Sequence, residues 1–224
     1  MLTAITGHYG CGKTEFAINY ALSKRAEGLP VTIADLDIVN PYFCTRERKQ
    51  TLEELGLRVI VSLGGMQIDI PALPAEILTM FEDNVCGIMD VGGDSVGARV
   101  LARYEKDFAR TPHELLCVLN FNRPEVGTVE RAIDYIGAIE QSSHLIVTGL
   151  VNNTHLLGDT SIEDIMRGAD LSKKVASITG IPLRYNTAPR RLLKQAQNIG
   201  DLFLMDIFMN KPWEEEFNGS KSDI

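Results

Sequence analysis

The sequence predicts an α/β fold: a single doubly wound, mostly parallel sheet with helices on both faces. Three observations predict it. Seven short apolar runs alternate with segments of helical period. The runs are apolar at nearly every position, as in strands buried on both sides of a parallel sheet. The first run leads straight into a glycine-rich loop, Gly7-His8-Tyr9-Gly10-Cys11-Gly12-Lys13-Thr14, and a helical pattern follows it.

Taken in order, strands are expected at Leu2–Thr6, Val31–Leu36, Leu57–Leu63, Val85–Val91, Leu115–Asn120, Leu145–Val151 and Pro182–Tyr185. Helices are expected at Lys13–Glu27, Arg46–Leu55, Pro74–Asp83, Val96–Ala109, Val126–Glu140, Ile162–Thr179 and Arg190–Ile199. The connections are short except for Asp37–Arg48, an irregular segment of the kind that often carries function. Residues 1–210 read as one domain and 211–224 as a polar acidic tail. In such folds ligands bind beyond the carboxyl ends of the strands, so the informative residues are those just after each strand.

Composition narrows the classes of function. The chain of 224 residues carries 30 acidic against 22 basic side chains, a net charge of −8. That balance argues against a nucleic-acid partner, which requires cationic surface to displace phosphate counterions. No apolar run approaches the roughly 20 residues of a membrane helix, so no membrane partner is expected. Cys11, Cys44, Cys86 and Cys117 form no C-x-x-C pair, which excludes the usual zinc or iron–sulfur spacing and fits a cytoplasmic location. Cys86 and Cys117 lie in apolar runs and read as core thiols, whereas Cys11 and Cys44 flank the functional loops.

The first loop has the form G-x-x-x-x-G-K-T between a strand and a helix, the context in which this pattern binds the phosphates of a nucleotide. Gly7, Gly10 and Gly12 let the backbone turn its N–H groups inward. The start of the following helix adds positive potential. Lys13 reaches the terminal phosphates, and the Thr14 hydroxyl is a ligand for Mg2+. The second strand ends Ile33-Ala34-Asp35-Leu36-Asp37; Asp37 can face the terminal phosphate, whereas Asp35 lies within the strand and suits a structural hydrogen bond. The fourth strand ends Met89-Asp90-Val91-Gly92-Gly93, which suits a metal-holding carboxylate followed by a phosphate-sensing glycine, or a plain turn capped by Asp94 or Ser95. The sixth strand ends Gly149-Leu150-Val151-Asn152-Asn153, whose amides match the edge of a purine.

In this order the four stations resemble the MinD/ParA/CobQ-like group of SIMIBI-class, deviant Walker A P-loop proteins, over Leu2 to about Ile199. The resemblance implies catalytic roles for Lys13 and for Asp37, which would orient water. It implies a metal set of Thr14, Asp37 and Asp90, with ATP, ADP and Mg2+ as cofactors. The implied nucleotide-binding set is Gly7, His8, Tyr9, Gly10, Cys11, Gly12, Lys13, Thr14, Glu15, Gly93, Asn153 and Pro189, the last in a loop that packs against the base. The group's dimeric ATPases carry a lysine where this chain has His8, which leaves an ATP-dependent homodimer open. Tyr42, Phe43 and Arg46 stand beside the expected terminal phosphate as substrate or partner contacts, or as local core.

The implied function is a Mg-dependent ATPase acting as a nucleotide-dependent switch for a protein partner. The alternatives are an ATP-dependent small-molecule ligase or kinase of the dethiobiotin synthetase or cobyrinate-amidating type, and a metal-centre maturation ATPase. Adenine is favoured by the resemblance and by the lack of the guanine signature Asn-Lys-x-Asp.

Overall fold

The computed structural model describes residues 1–37, 45–61, 75–82 and 85–209, with residue 46 described by its backbone. Eight strands make one sheet: β1 (Leu2–Thr6), β2 (Val31–Leu36), β3 (Arg58–Val61), β4 (Cys86–Val91), β5 (His113–Leu119), β6 (Gly149–Asn152), β7 (Leu183–Pro189) and β8 (Leu202–Met205). Their order is β3-β2-β4-β1-β5-β6-β7-β8, and every pairing is parallel. The expected "mostly parallel" sheet is thus wholly parallel among the described residues. The helices are α1 (Lys13–Ala26), α2 (Lys49–Glu54), α3 (Ser95–Ala102), α4 (Glu105–Phe108), α5 (Val129–Ser143), α6 (Ile162–Thr179) and α7 (Leu193–Ala196).

The alternation of side chains along each strand divides most of the core in two, with a smaller third cluster of Ile165, Ala188, Leu192 and Ala196. Leu2, Met89, Leu115 and Cys117 join α3, α4 and α5 residues such as Leu101, Phe108 and Ile136 in one cluster. Ile5, Ile33, Ile88 and Val118 join α1 and α2 residues such as Phe16, Ala17 and Leu52 in the other. Cys86 and Cys117 are buried, as their apolar neighbours suggest. Helix ends follow local chemistry. Thr128 caps α5 at Arg131 N, Ser161 and Asp164 form a capping box on α6, and Gly180 ends α6 in the left-handed region.

Several sequence expectations are corrected. The helix expected over Arg46–Leu55 opens with a 3-10 turn, Thr45–Arg48, before α2, and the described part of the one expected over Pro74–Asp83 is a 3-10 helix, Ala75–Phe81. The helix expected over Val96–Ala109 breaks at Arg103–Tyr104 into α3 and α4, which lets Tyr104 and Phe108 both pack on Phe81. Leu145–Thr148 lead into β6 without strand pairing of their own, and β7 runs on to Pro189. The helix expected over Arg190–Ile199 is a 3-10 turn, Arg190–Leu192, and the short α7. Beyond it Asp201, at φ 51°, turns the chain into the unexpected edge strand β8. The 211–224 tail lies outside the described residues.

Candidate functional site

The loop between β1 and α1 is held open by glycine. Gly10 and Gly12 take φ of 75° and 76°, where a side chain is strained. At Gly7 a Cβ would come within 2.7 Å of the Val118 carbonyl. No side chain among the described residues caps α1, which leaves the first N–H groups of the helix for the loop interior. The outer side of the loop is braced. Arg123 Nε donates to Gly10 O at 2.9 Å, and Asn153 Nδ2 donates to Cys11 O at 2.7 Å. Thr187 Oγ1 in turn donates to Asn153 Oδ1 at 2.5 Å. Cys11 is fully buried, which pushes its thiol up to about 12. It is a packed thiol that stays protonated at neutral pH.

Register places the acidic groups together: Asp90 lies opposite Ile5 on one neighbour and Asp35 on the other. Lys13 Nζ donates to Asp37 Oδ2 at 2.7 Å, with both side chains buried. Asp35 Oδ1 accepts from Asp37 N at 3.1 Å, the structural bond its place in the strand predicts. Asp90 Oδ2 accepts from Thr45 Oγ1 at 3.1 Å, while its buried Oδ1 has no hydrogen-bond partner among the described residues. Burial would push the Lys13 ammonium down, but Asp90, Asp37 and Asp35 hold it above its usual value. Burial, with Asp35 and Asp37 as like charges, raises Asp90 to about 7 against the pull of Lys13 and Thr14. The centre is therefore one buried cation among three carboxylates, with a carboxylate oxygen and the Thr14 hydroxyl available as hard oxygen donors. That donor set fits Mg2+.

Gly93 touches the loop directly: a Cβ there would lie 2.1 Å from Gly7 O. A Cβ on Gly92 would lie 2.8 Å from the Gly97 Cα. Asp94 also caps α3, accepting from Gly97 N at 2.6 Å, so the turn reading and the contact with the loop coexist. The Gly93 carbonyl accepts from Tyr135 Oη of α5 at 3.0 Å. The His8 ring meets the Tyr135 ring edge-on at 5.7 Å between centroids.

On the opposite flank a cavity of about 170 Å³ is lined by Asn122, Arg123, His155, Leu156 and Leu157. His155 Nδ1 accepts from Leu157 N at 3.2 Å, so the neutral ring carries its proton on Nε2. That Nε2 is buried with no hydrogen-bond partner among the described residues, and burial, reinforced by Arg123, lowers His155 to about 4.

The structure thus brings together Gly7 to Thr14, Asp37, Asp90 and Gly93, with Asn153 beneath the loop. Tyr9 is exposed. Pro189 ends β7, opposite Met205 of β8. Glu15 accepts from Phe208 N and from Met209 N, so its carboxylate is committed to the C-terminal segment. Tyr42 and Phe43 lie outside the described residues, as does the side chain of Arg46. Sequence reasoning missed Thr45, Arg123, His155 and the Asp206–Met209 segment. Arg123 stands just after β5, where the strand-end rule points, but a lone arginine beside asparagines carries no motif.

No family profile matches the sequence, and no curated protein matches it either. Solved structures do. The cell division protein FtsY from Thermotoga maritima is 20% identical with a TM-score of 0.58, over 82% of this chain and 60% of that one. Chloroplast FtsY from Physcomitrella patens is 18% identical with a TM-score of 0.55, over 82% and 57%. The signal recognition particle 54 kDa protein from Aeropyrum pernix K1, in complex with GDP, is 23% identical with a TM-score of 0.50, over 81% and 40%. The chain spans about 60% or less of the length of these proteins. The likeness shows the fold alone: an α/β domain built on one all-parallel sheet with helices on both faces.

Proposed function

We propose that this protein binds ATP with Mg2+ at the Gly7–Thr14 loop, hydrolyses it, and serves as a nucleotide-dependent switch read by a protein partner. The observation that carries the reading is the convergence of Lys13, Asp37 and Asp90 at the carboxyl ends of β1, β2 and β4, with Gly93 against the loop. Lys13 exchanges Asp37 for the terminal phosphates, and the released Asp37 orients the attacking water. Thr14 and Asp90 would hold Mg2+, Asp90 through water. Bound there, the ion would supply neutralisation of the charge that develops on the transferred phosphoryl group.

Two links favour a switch over simple turnover. A γ-phosphate moving Gly93 acts on Tyr135, and so on α5. Freed from Lys13, Asp37 acts on the segment that follows β2. Adenine is favoured over guanine because the sixth strand ends Asn152-Asn153-Thr154-His155 and not in the guanine signature Asn-Lys-x-Asp. The carboxylate after the second strand supports the MinD/ParA/CobQ-like reading, and His8 in place of the second loop lysine leaves an ATP-dependent homodimer open. His8 rests on Tyr135 of its own chain, so a contact across a dimer would require that ring to leave.

The test is ATP and GTP hydrolysis over a range of protein concentrations, with mass by light scattering in ADP and in a non-hydrolysable ATP analogue. Mg-dependent ATP hydrolysis that collapses in Asp37→Ala supports the reading. Hydrolysis unchanged in Asp37→Ala removes the water-orienting role. Turnover that appears only with a small metabolite would make the protein a ligase or kinase instead.

A further inference from the structure

Met205 pairs opposite Pro189, so the chain leaving β8 emerges at the carboxyl edge of the sheet. The next residues, Asp206–Met209, run back to α1, and three side chains hold them there. Asn19 brackets the Asp206 backbone, with Nδ2 donating to Asp206 O at 2.9 Å and Oδ1 accepting from Asp206 N at 2.8 Å. Glu15 accepts from the N–H groups of Phe208 and Met209. Arg190 Nε reaches both Asp206 carboxylate oxygens, at 2.7 and 2.8 Å. Phe208 and Met209 pack onto the core cluster that contains Phe16 and Tyr20.

The anchors lie at informative places. Glu15 directly follows Thr14, in the first turn of α1, and Arg190 directly follows Pro189. The strap therefore joins the phosphate-loop helix to the loop after β7. The terminal-phosphate end of the site is set by Asp37, Asp90 and Gly93, on the β2 and β4 side of β1. A nucleotide laid along the loop must carry its sugar and base the other way, toward β6, β7 and the strap. A carboxylate in the first turn of a phosphate-binding helix also needs an explanation, because it would repel the phosphates. Two backbone N–H groups from the strap supply it: they occupy the Glu15 oxygens and turn that charge away from the ligand.

We propose that Asp206–Met209 is a wall of the nucleoside end of the site, with Glu15 and Asn19 as positioning residues that hold it against ribose and base. The inference rests on the nucleotide reading above and goes beyond it by assigning a segment with no motif to recognition of the nucleoside.

The experiment compares ATP with inorganic tripolyphosphate, which presents the phosphates without the nucleoside. Calorimetric titration of the full chain is run on the parent, Asn19→Ala and Lys13→Ala. The expected result is roughly ten-fold weaker ATP binding by Asn19→Ala with tripolyphosphate affinity retained, and loss of both ligands by Lys13→Ala. Equal loss of both ligands in Asn19→Ala would mean that the strap only supports α1, and the proposal falls. ATP affinity unchanged in a folded Asn19→Ala overturns it equally. A parent that binds neither ligand overturns the nucleotide reading itself, and the strap assignment with it. If Asn19→Ala melts too low for titration, Asp206→Ala, at the half-buried outer edge of the strap, carries the same comparison.

Discussion

Lys13 Nζ and Asp37 Oδ2 lie 2.7 Å apart, with the two side chains only 8% and 4% exposed. A buried pair of this kind leaves an uncompensated charge when one partner is removed, at a cost of roughly 3 kcal/mol. Here the loss falls on three carboxylates at once, because Asp35 and Asp90 also face the ammonium. Lys13→Ala is therefore expected to melt about 6–12 °C below the parent without ligand, given about 2–4 °C per kcal/mol at this size. ATP and Mg2+ at a hundred times Kd should raise the parent's stability by about 2.7 kcal/mol and leave Lys13→Ala unmoved. Paired thermal melts read both effects.

Asp90 predicts the opposite balance. It is wholly buried beside Asp35 and Asp37, and its Oδ1 finds no hydrogen bond among the described residues. Asp90→Asn keeps the shape and removes one of the crowded charges. The ligand-free protein should gain about 1 kcal/mol, as happens when a functional site is relieved of built-in repulsion. Hydrolysis should fall on the order of a hundred-fold, the scale for losing one preorganised electrostatic group. An Asp90→Asn protein that is less stable than the parent in chemical denaturation would refute the account of the carboxylate cluster.

The two glycine environments separate a site effect from a helix effect. A methyl group at Gly93 would stand 2.1 Å from Gly7 O, a backbone atom that cannot swing aside. Gly93→Ala should displace the loop and weaken ATP at least ten-fold. Gly137, on the exposed side of α5, meets nothing within 4 Å. Gly137→Ala should stabilise the fold by about 0.5–1 kcal/mol through helix propensity, with ATP binding unchanged. Equilibrium binding and denaturation on both variants make the comparison.

What was legible in the sequence follows from range. The apolar runs reveal β1, β2 and β4 to within a residue, because continuous burial writes itself into every position. Gly7–Thr14, Asp37 and Asp90 could be read because their chemistry is local: a loop needs glycines in series, and a carboxylate must follow a strand. The strap could not. Asn19 and Asp206 lie 187 positions apart, and an asparagine inside a helix announces nothing until the partner backbone is beside it. β8 escaped for a related reason, since an edge strand of four residues with three only half-buried lacks both the length and the continuous burial of the inner strands. The brace from Arg123 to Gly10 joins two loops that only the β1–β5 pairing makes neighbours.

His155 gives the acid limb of stability. Its pKa is lowered from 6.5 to about 4 by burial, with Arg123 adding to the effect. In the unfolded chain the imidazole protonates below about 6.5, while in the folded protein it stays neutral down to about 4. The unfolded state thus binds the extra proton in that window, and stability falls as pH is lowered through it. The full contribution is roughly 3 kcal/mol, present above pH 6.5 and gone below pH 4. Buried carboxylates also respond to acid, so the parent curve alone does not isolate the histidine. His155→Gln, which keeps an acceptor for Leu157 N, should lose less stability than the parent between pH 6.5 and 4. Urea denaturation of both proteins at half-unit steps measures the difference. Parallel curves would mean that the ring protonates in place and that the His155 Nε2 environment is polar enough to hold a charge.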